Sequence, residues 1–161
     1  MVLPIKKKIN YNLTSETARK SQNTNLSAEF YVLSLLHRLN INATLTLGNK
    51  KSVDIVIDLG KDIKTIDVKG ISKGSGSFPV DNWIKKPNHF YVFVAFNNIN
   101  EIPDVYIVPS VDMDKNFNKL NRYGSSKGKL IYRSPKGNRK VVPLGRLREL
   151  SNKYQSWNYF K

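Results

Sequence analysis

Three carboxylates and one lysine stand in this chain where apolar residues are expected. Glu29 lies three residues after Leu26 and three, four and seven before Val32, Leu33 and Leu36. Helical spacing puts that carboxylate on the apolar stripe of a helix that packs on a sheet. Asp54 sits between Val53 and Ile55 in a β-branched run, and Asp67 and Lys69 flank Val68 in the next run. Residues two apart on a strand share a face, so Asp67 and Lys69 point the same way. A buried carboxylate is costly unless a cation or donors compensate it. Together the four groups supply what metal-dependent hydrolysis of a phosphodiester needs. Carboxylate oxygens suit a hard, octahedral Mg²⁺, with Mn²⁺ able to stand in. A metal offsets charge on the phosphate and lowers the pKa of an attacking water. A lysine beside the acids orients or deprotonates that water and stabilises the pentavalent transition state. Each residue alone also has a plain structural explanation: Asp-x-Lys arises on any charged strand, and Glu29 fits a paired residue in a helix–sheet interface.

The elements that must position these groups follow from periodicity and turn chemistry. Residues 1–24 are polar, basic and aperiodic, and read as a loop-like N-terminal segment ahead of a single domain over 25–161. Thr24 or Asn25 is suited to cap a helix whose stripe is Leu26, Val32, Leu33, Leu36 and Leu39, with Asn40 as its stop. Extended segments are expected over 41–47, 53–59 and 63–69, joined by short Gly-containing turns as an antiparallel meander. A Gly-, Ser- and Lys-rich stretch runs from Ile71 to Asn88 and reads as mobile. Phe90 to Phe96 is almost continuously apolar, as in a strand buried on both faces. Val105–Val108 is a further strand closed by Pro109, and Ser110 is suited to cap a short helix reaching about Leu120. A flexible loop over 124–128 follows. A basic hairpin is expected from Leu130–Arg133 and Val141–Val142, then a C-terminal helix with Leu147, Leu150, Tyr154 and Trp157 inside. The expected order α-β-β-β-α-β, with extensions, is that of an α/β domain with a mixed β-sheet flanked by helices.

Charge narrows the partner. The 161 residues carry 27 Lys and Arg against 12 Asp and Glu, a net +15. Residues 1–24 hold five basic and one acidic residue, and 115–161 hold thirteen basic and one acidic. The centre keeps the other ten carboxylates. Basic flanks around an acidic cluster fit a polyanion held by the flanks while the acids repel it until a metal arrives. Candidate phosphate contacts are Lys50, Lys51, Lys73, Lys85 and Lys86, and in the basic extension Lys127, Lys129, Arg133, Lys136, Arg139 and Lys140. Trp83 is suited either to stack on a base or to pack on the core. His89 opens a buried strand and reads as a packed histidine. Gly74-x-Gly76 lacks the context of a phosphate-binding loop. With no cysteine, disulfides, thiolate nucleophiles and cysteine zinc sites are excluded. No apolar run approaches the roughly 18 residues of a membrane helix, and charges that follow a very short apolar start are the reverse of a secretory signal. A cytoplasmic location is expected.

Asp54 followed by Asp67-Val-Lys69, with Glu29 on the first helix, resembles the signature of the PD-(D/E)XK nuclease superfamily. Ala28-Glu29, Ser52-Val-Asp-Ile-Val-Ile57, Ile66-Asp-Val-Lys69, His89-Phe-Tyr-Val-Phe-Val94 and Tyr106-Ile-Val-Pro-Ser110 are similar to small prokaryotic members related to Holliday-junction resolvases and restriction enzymes. Val53 replaces the proline of the motif, and Asp67 fills a position usually held by Glu. The resemblance implies a restriction-endonuclease-like core with Mg²⁺ on Asp54, Asp67 and the Val68 carbonyl. It implies Glu29 completing the shell directly or through water, and Lys69 serving the nucleophile. The expected activity is Mg²⁺-dependent endonucleolytic cleavage of DNA by a homodimer. A non-cleaving nucleic-acid-binding protein of the same fold and an RNA-directed nuclease are the alternatives.

Overall fold

The first helix is longer than its apolar stripe. The computed structural model describes residues 12–46, 53–80, 83–117 and 141–161, and α1 spans Asn12–Arg38, about 40 Å of helix. It runs unbroken through residue 24, where a loop was expected to end. Only its C-terminal half meets the sheet: Ala28, Val32 and Leu36 are fully buried, whereas Glu16 to Asn23 are exposed. Neither expected cap acts as one. The Thr24 hydroxyl donates to the Lys20 carbonyl at 2.8 Å, a bond made inside a continuing helix. Asn25 is used elsewhere. Leu26, out of phase with Ala28, and Leu39, just past the helix end, are exposed rather than inward. The expected stop holds: Asn40 takes φ 58°, and Ile41 N–H reaches the Leu36 carbonyl at 3.0 Å.

Strands β1 (Ala43–Leu45), β2 (Ile55–Asp58) and β3 (Ile63–Ile71) form the antiparallel meander. β5 (His89–Ala95) pairs with β3 in parallel, and β6 (Asp104–Pro109) pairs with β5 antiparallel. The sheet order is β1-β2-β3-β5-β6, with β5 buried along its whole length. Alternation splits the core between the two faces. Ile66, Val68, Phe90, Val92 and Val94 pack under α1; Ile71, Tyr91, Phe93 and Ala95 pack on the other side.

Between β3 and β5 the expected order placed a helix, but the described residues there are loop and a short strand, β4 (Ser77–Pro79). β4 pairs with β7 (Val141–Pro143). The expected hairpin is therefore corrected as to Val141–Val142, whose partner among the described residues is Phe78–Pro79; Leu130–Arg133 lies outside them. Phe78 and Val142 are both fully buried, and Phe78 meets Phe93 edge-on at 5.0 Å. Burial between distant segments decided the pairing, and local turn chemistry does not report it.

Ser110 caps nothing. Its hydroxyl donates to the Lys86 carbonyl at 2.7 Å and accepts from Lys86 N–H at 3.0 Å. A 3-10 turn over Ser110–Asp112 leads into α2 (Met113–Phe117). The single C-terminal helix is replaced by α3 (Leu144–Glu149), α4 (Ser151–Tyr154) and a 3-10 turn over Trp157–Phe160. The breaks let this segment serve both faces. Leu147 and Tyr154 are buried with Tyr91 and Phe93, while Phe160 is buried against Phe90 beneath α1. Among the described residues no helix is long and apolar enough to cross a membrane.

Candidate active site

The site exists because β2 is shorter than β3. Their ladder ends where Ile55 faces Ile66, after which Asp54 N–H still reaches the Ile66 carbonyl at 2.8 Å. Past that point no strand of the described residues lies on this side of β3. Its outward N–H groups are met by side chains instead: Val68 N–H donates to Asp54 Oδ2 at 2.7 Å, and Gly70 N–H donates to Asn25 Oδ1 at 2.9 Å. In a strand one residue's N–H and C=O face the same neighbour, so the Val68 carbonyl looks into the vacated edge beside Asp54. Asp54 and Asp67 lie close enough here for each charge to act on the other.

Helix α1 is pressed against this edge. A Cβ on Gly70 would lie 2.7 Å from the Thr24 carbonyl oxygen and 2.9 Å from Ala28 Cβ, so only glycine admits the approach. Glu29, next to Ala28, stands half-buried at the border of the packed face. It senses Asp54, Lys69 and Asp67 electrostatically, so one corner gathers all four groups singled out in the sequence.

Asp67 is 5% exposed. Lys69 Nζ lies 2.5 Å from its Oδ1, and that oxygen has no other partner among the described residues. The ammonium alone pairs the charge, and a carboxylate oxygen carries a second lone pair. Burial pushes the Asp54 carboxyl above the usual carboxylate range; the Val68 N–H opposes this, the Asp67 charge adds to it, and Lys69 opposes it. Burial likewise raises Glu29, with Asp54 adding and Lys69 opposing. Carboxyls pushed up by burial and by one another gain from a cation beside them.

Among the described residues no three Asp, Glu, His or Cys side chains form a ready-made metal cage. Mg²⁺ does not require one, because it keeps several waters and takes one or two carboxylates plus phosphate oxygens. The oxygen donors of Asp54, Asp67 and the Val68 carbonyl fit such an ion.

His89 is buried, as expected. Its Nδ1 lies 2.8 Å from Thr65 Oγ1, its Nε2 has no hydrogen-bond partner among the described residues, and burial lowers its pKa, with Lys86 adding. Tyr91, beside Asp67 in the register, is pushed up to about 12, mainly by burial, and its hydroxyl accepts from Ile84 N–H. Trp83 packs against the core and donates its indole N–H to Asp114 at 2.7 Å. Lys73, Lys85 and Lys86 are exposed, and Lys73 Nζ donates to Asn98 Oδ1 at 2.8 Å. Lys50, Lys51, Lys127, Lys129, Arg133, Lys136, Arg139 and Lys140 lie outside the described residues. Sequence reasoning missed Asn25 and Gly70 as positioning residues. A glycine inside a strand that otherwise alternates was the available signal, since it marks a close backbone approach.

No protein-family model matches the chain, and comparison with curated proteins finds no relative. Among solved structures, a bacterial homing endonuclease, I-Ssp6803I, is similar at a TM-score of 0.42 and 19% identity, over 85% of this chain and 89% of that one. A likeness this slight carries no argument about activity.

Proposed function

We propose that the chain is a Mg²⁺-dependent endonuclease acting on DNA. The observation that carries the reading is the vacated edge of β3. There Asp54 Oδ2 accepts from Val68 N–H while buried Asp67 pairs with Lys69 through Oδ1. Asp54, Asp67 and the Val68 carbonyl would hold the ion, with Glu29 joining through water. When bound, the ion offsets charge on the scissile phosphate and lowers the pKa of the attacking water. Lys69 Nζ, set by Asp67, orients that water and donates to the phosphate oxygens as charge develops on them. The raised pKa of Glu29 suits it to accept a proton from a shared water. Buried Val68 and Ile66 fix the strand backbone on which these groups depend.

Lysines and arginines of the basic flanks supply phosphate contacts that position the nucleic acid without reading its sequence. Cutting both strands of a duplex needs two such centres, so the reading includes a pair of copies. A light-scattering mass of one chain at micromolar concentration, with double-strand cleavage intact, contradicts that part. The reading as a whole is tested by incubating branched, duplex and single-stranded DNA, and matched RNA, with Mg²⁺ or EDTA. Mg²⁺-dependent cuts in DNA support it. Binding without cleavage supports the non-cleaving alternative, and cleavage confined to RNA supports the other.

A further inference from the structure

Strands β3 and β5 run parallel and end together, at Ile71 and Ala95. Beyond their ends lies a cleft of about 350 Å³. Its walls are the Lys73–Gly76 loop on one side and Asn97 with Arg148 on the other, over a floor of Ile71, Ala95 and Leu144. It starts two residues past Lys69, about 7 Å along the strand, on the sheet face that carries Asp67 and Lys69. Among the described residues two cations line it and no carboxylate does. The carboxylate nearest Arg148 is Asp104, at 3.4 Å between exposed side chains.

Above this cleft the β5–β6 hairpin turns at 96–103 and presents Ile99 and Ile102, which are 98% and 82% exposed. A single exposed isoleucine needs no explanation. Two within four residues, on a turn where Asn, Gly or Ser would serve better, are a different matter. The turn is braced rather than loose. Glu101 N–H reaches the Asn98 carbonyl at 3.0 Å, and Asn97 Nδ2 reaches the Ile102 carbonyl at 3.2 Å. The Glu101 carboxylate folds back to accept from the Asn98 side chain. Lys73 Nζ donates to Asn98 Oδ1, which ties the cationic loop to the hairpin tip. The result is a stiff apolar point, β-branched at both residues, beside a basic cleft.

We propose that this end of the sheet is a second nucleic-acid contact, in which Lys73 and Arg148 hold a backbone phosphate while Ile99, supported by Ile102, wedges against an unstacked base step. The inference rests on the nuclease reading and extends it from the cleaved bond to the deformation of the substrate. Apolar wedges of this kind partly unstack and kink a duplex, and flanking cations hold the bent backbone. A second copy of the chain fits the tip less well, because each copy carries +15 and would set cations against cations.

The test uses the full chain in EDTA with duplex and branched DNA carrying 2-aminopurine at successive positions, whose fluorescence rises on unstacking. Wild type should raise the signal at one or two adjacent steps. Ile99→Ser with Ile102→Ser should abolish that rise and weaken binding about tenfold, with an unchanged melting temperature because both side chains are solvent-exposed. Lys73→Gln with Arg148→Gln should instead flatten the salt dependence, by up to about 0.9 in log–log slope per lost phosphate contact. Wild type that binds DNA in EDTA and cuts it once Mg²⁺ is added, while the isoleucine variant gives the same EDTA signal and affinity, overturns this inference alone. A variant that turns a dimer into a monomer at unchanged DNA affinity also overturns it, and assigns the tip to a chain–chain contact. Wild type that binds no nucleic acid overturns the nuclease reading with it.

Discussion

Asp54 Oδ2 accepts the backbone N–H of Val68 at 2.7 Å, a side-chain bond standing where the next rung of the β2–β3 ladder would be. That substitution exposes the Val68 carbonyl to the edge and holds Asp54 near Asp67. The same bond therefore closes the sheet and builds the candidate site. It also sets two carboxylates close together at a cost to the fold, and that cost is measurable.

Asp54→Asn keeps the hydrogen bond and removes the charge. Burial raises the Asp54 carboxyl, with Asp67 adding and Val68 N–H and Lys69 opposing. A carboxyl whose folded pKa exceeds its unfolded value stabilises the fold while it is protonated, and that contribution is lost as pH rises through the folded pKa. In EDTA the variant should thus melt above wild type at pH 7, and the gap should shrink toward the ordinary carboxylate range near pH 4. Millimolar Mg²⁺ should raise the wild-type melting temperature and leave the variant unmoved. Equal Mg²⁺ stabilisation of both proteins would remove Asp54 from the ligand set.

Lys69 has two jobs that different substitutions separate. Lys69→Ala strips the cation from a buried carboxylate, so it should cost stability, up to about 3–5 kcal/mol for a pair of this kind, as well as cleavage. Lys69→Arg keeps the charge beside Asp67 while changing its shape and proton affinity. Its urea midpoint should stay near wild type, and its cleavage rate should fall by about 10² or more. Wild-type rates in Lys69→Arg would show that the residue serves only the ion pair.

Gly70→Ala tests the seating of α1. The added Cβ meets the Thr24 carbonyl oxygen at 2.7 Å and Ala28 Cβ at 2.9 Å, so the helix must lift and carry Glu29 with it. A loss of about 1–3 kcal/mol should accompany reduced cleavage. Asn25→Ala, which leaves Gly70 N–H without its acceptor, should cost about 1–3 kcal/mol. Unchanged urea unfolding in both variants would mean that the helix does not depend on this edge.

The grouping of Asp67 with Lys69 in the candidate site was legible because strand alternation is strict: the two share a face wherever the strand goes. Glu29 was legible from its spacing to Val32, Leu33 and Leu36. Asn25 was misread for a physical reason. Its side chain is as good a helix cap as an acceptor for an orphan strand N–H, and only the truncation of β2 says which demand wins. Leu26 looked inward because leucines outnumber alanines on the stripe, yet the close approach at Gly70 selects Ala28. The pairing of Phe78 with Val142 spans too much sequence for turn chemistry to report. The C-terminal helix breaks near Leu150 and Gln155 because one straight helix cannot bury Tyr154 on one face and Phe160 on the other.

The basic extension should act on binding and not on chemistry. Replacing Arg133, Lys136, Arg139 and Lys140 with Ala should weaken affinity for all DNA sequences alike and flatten its salt slope. Cleavage at saturating DNA should hold, because the carboxylate centre is built from α1, β3 and the residue preceding β2. An unaltered salt slope would leave the backbone contacts to Lys50, Lys51 and the loop after β3.

The most direct measurement of the central claim is single-turnover cleavage of a bound DNA substrate by wild type, Asp54→Asn and Asp67→Asn, with Mg²⁺ and with EDTA, at concentrations where all three are saturated. The account predicts cleavage by wild type in Mg²⁺ alone, with both variants bound at equal or higher affinity yet silent. Cleavage that persists in EDTA, or that either variant performs at the wild-type rate, contradicts it.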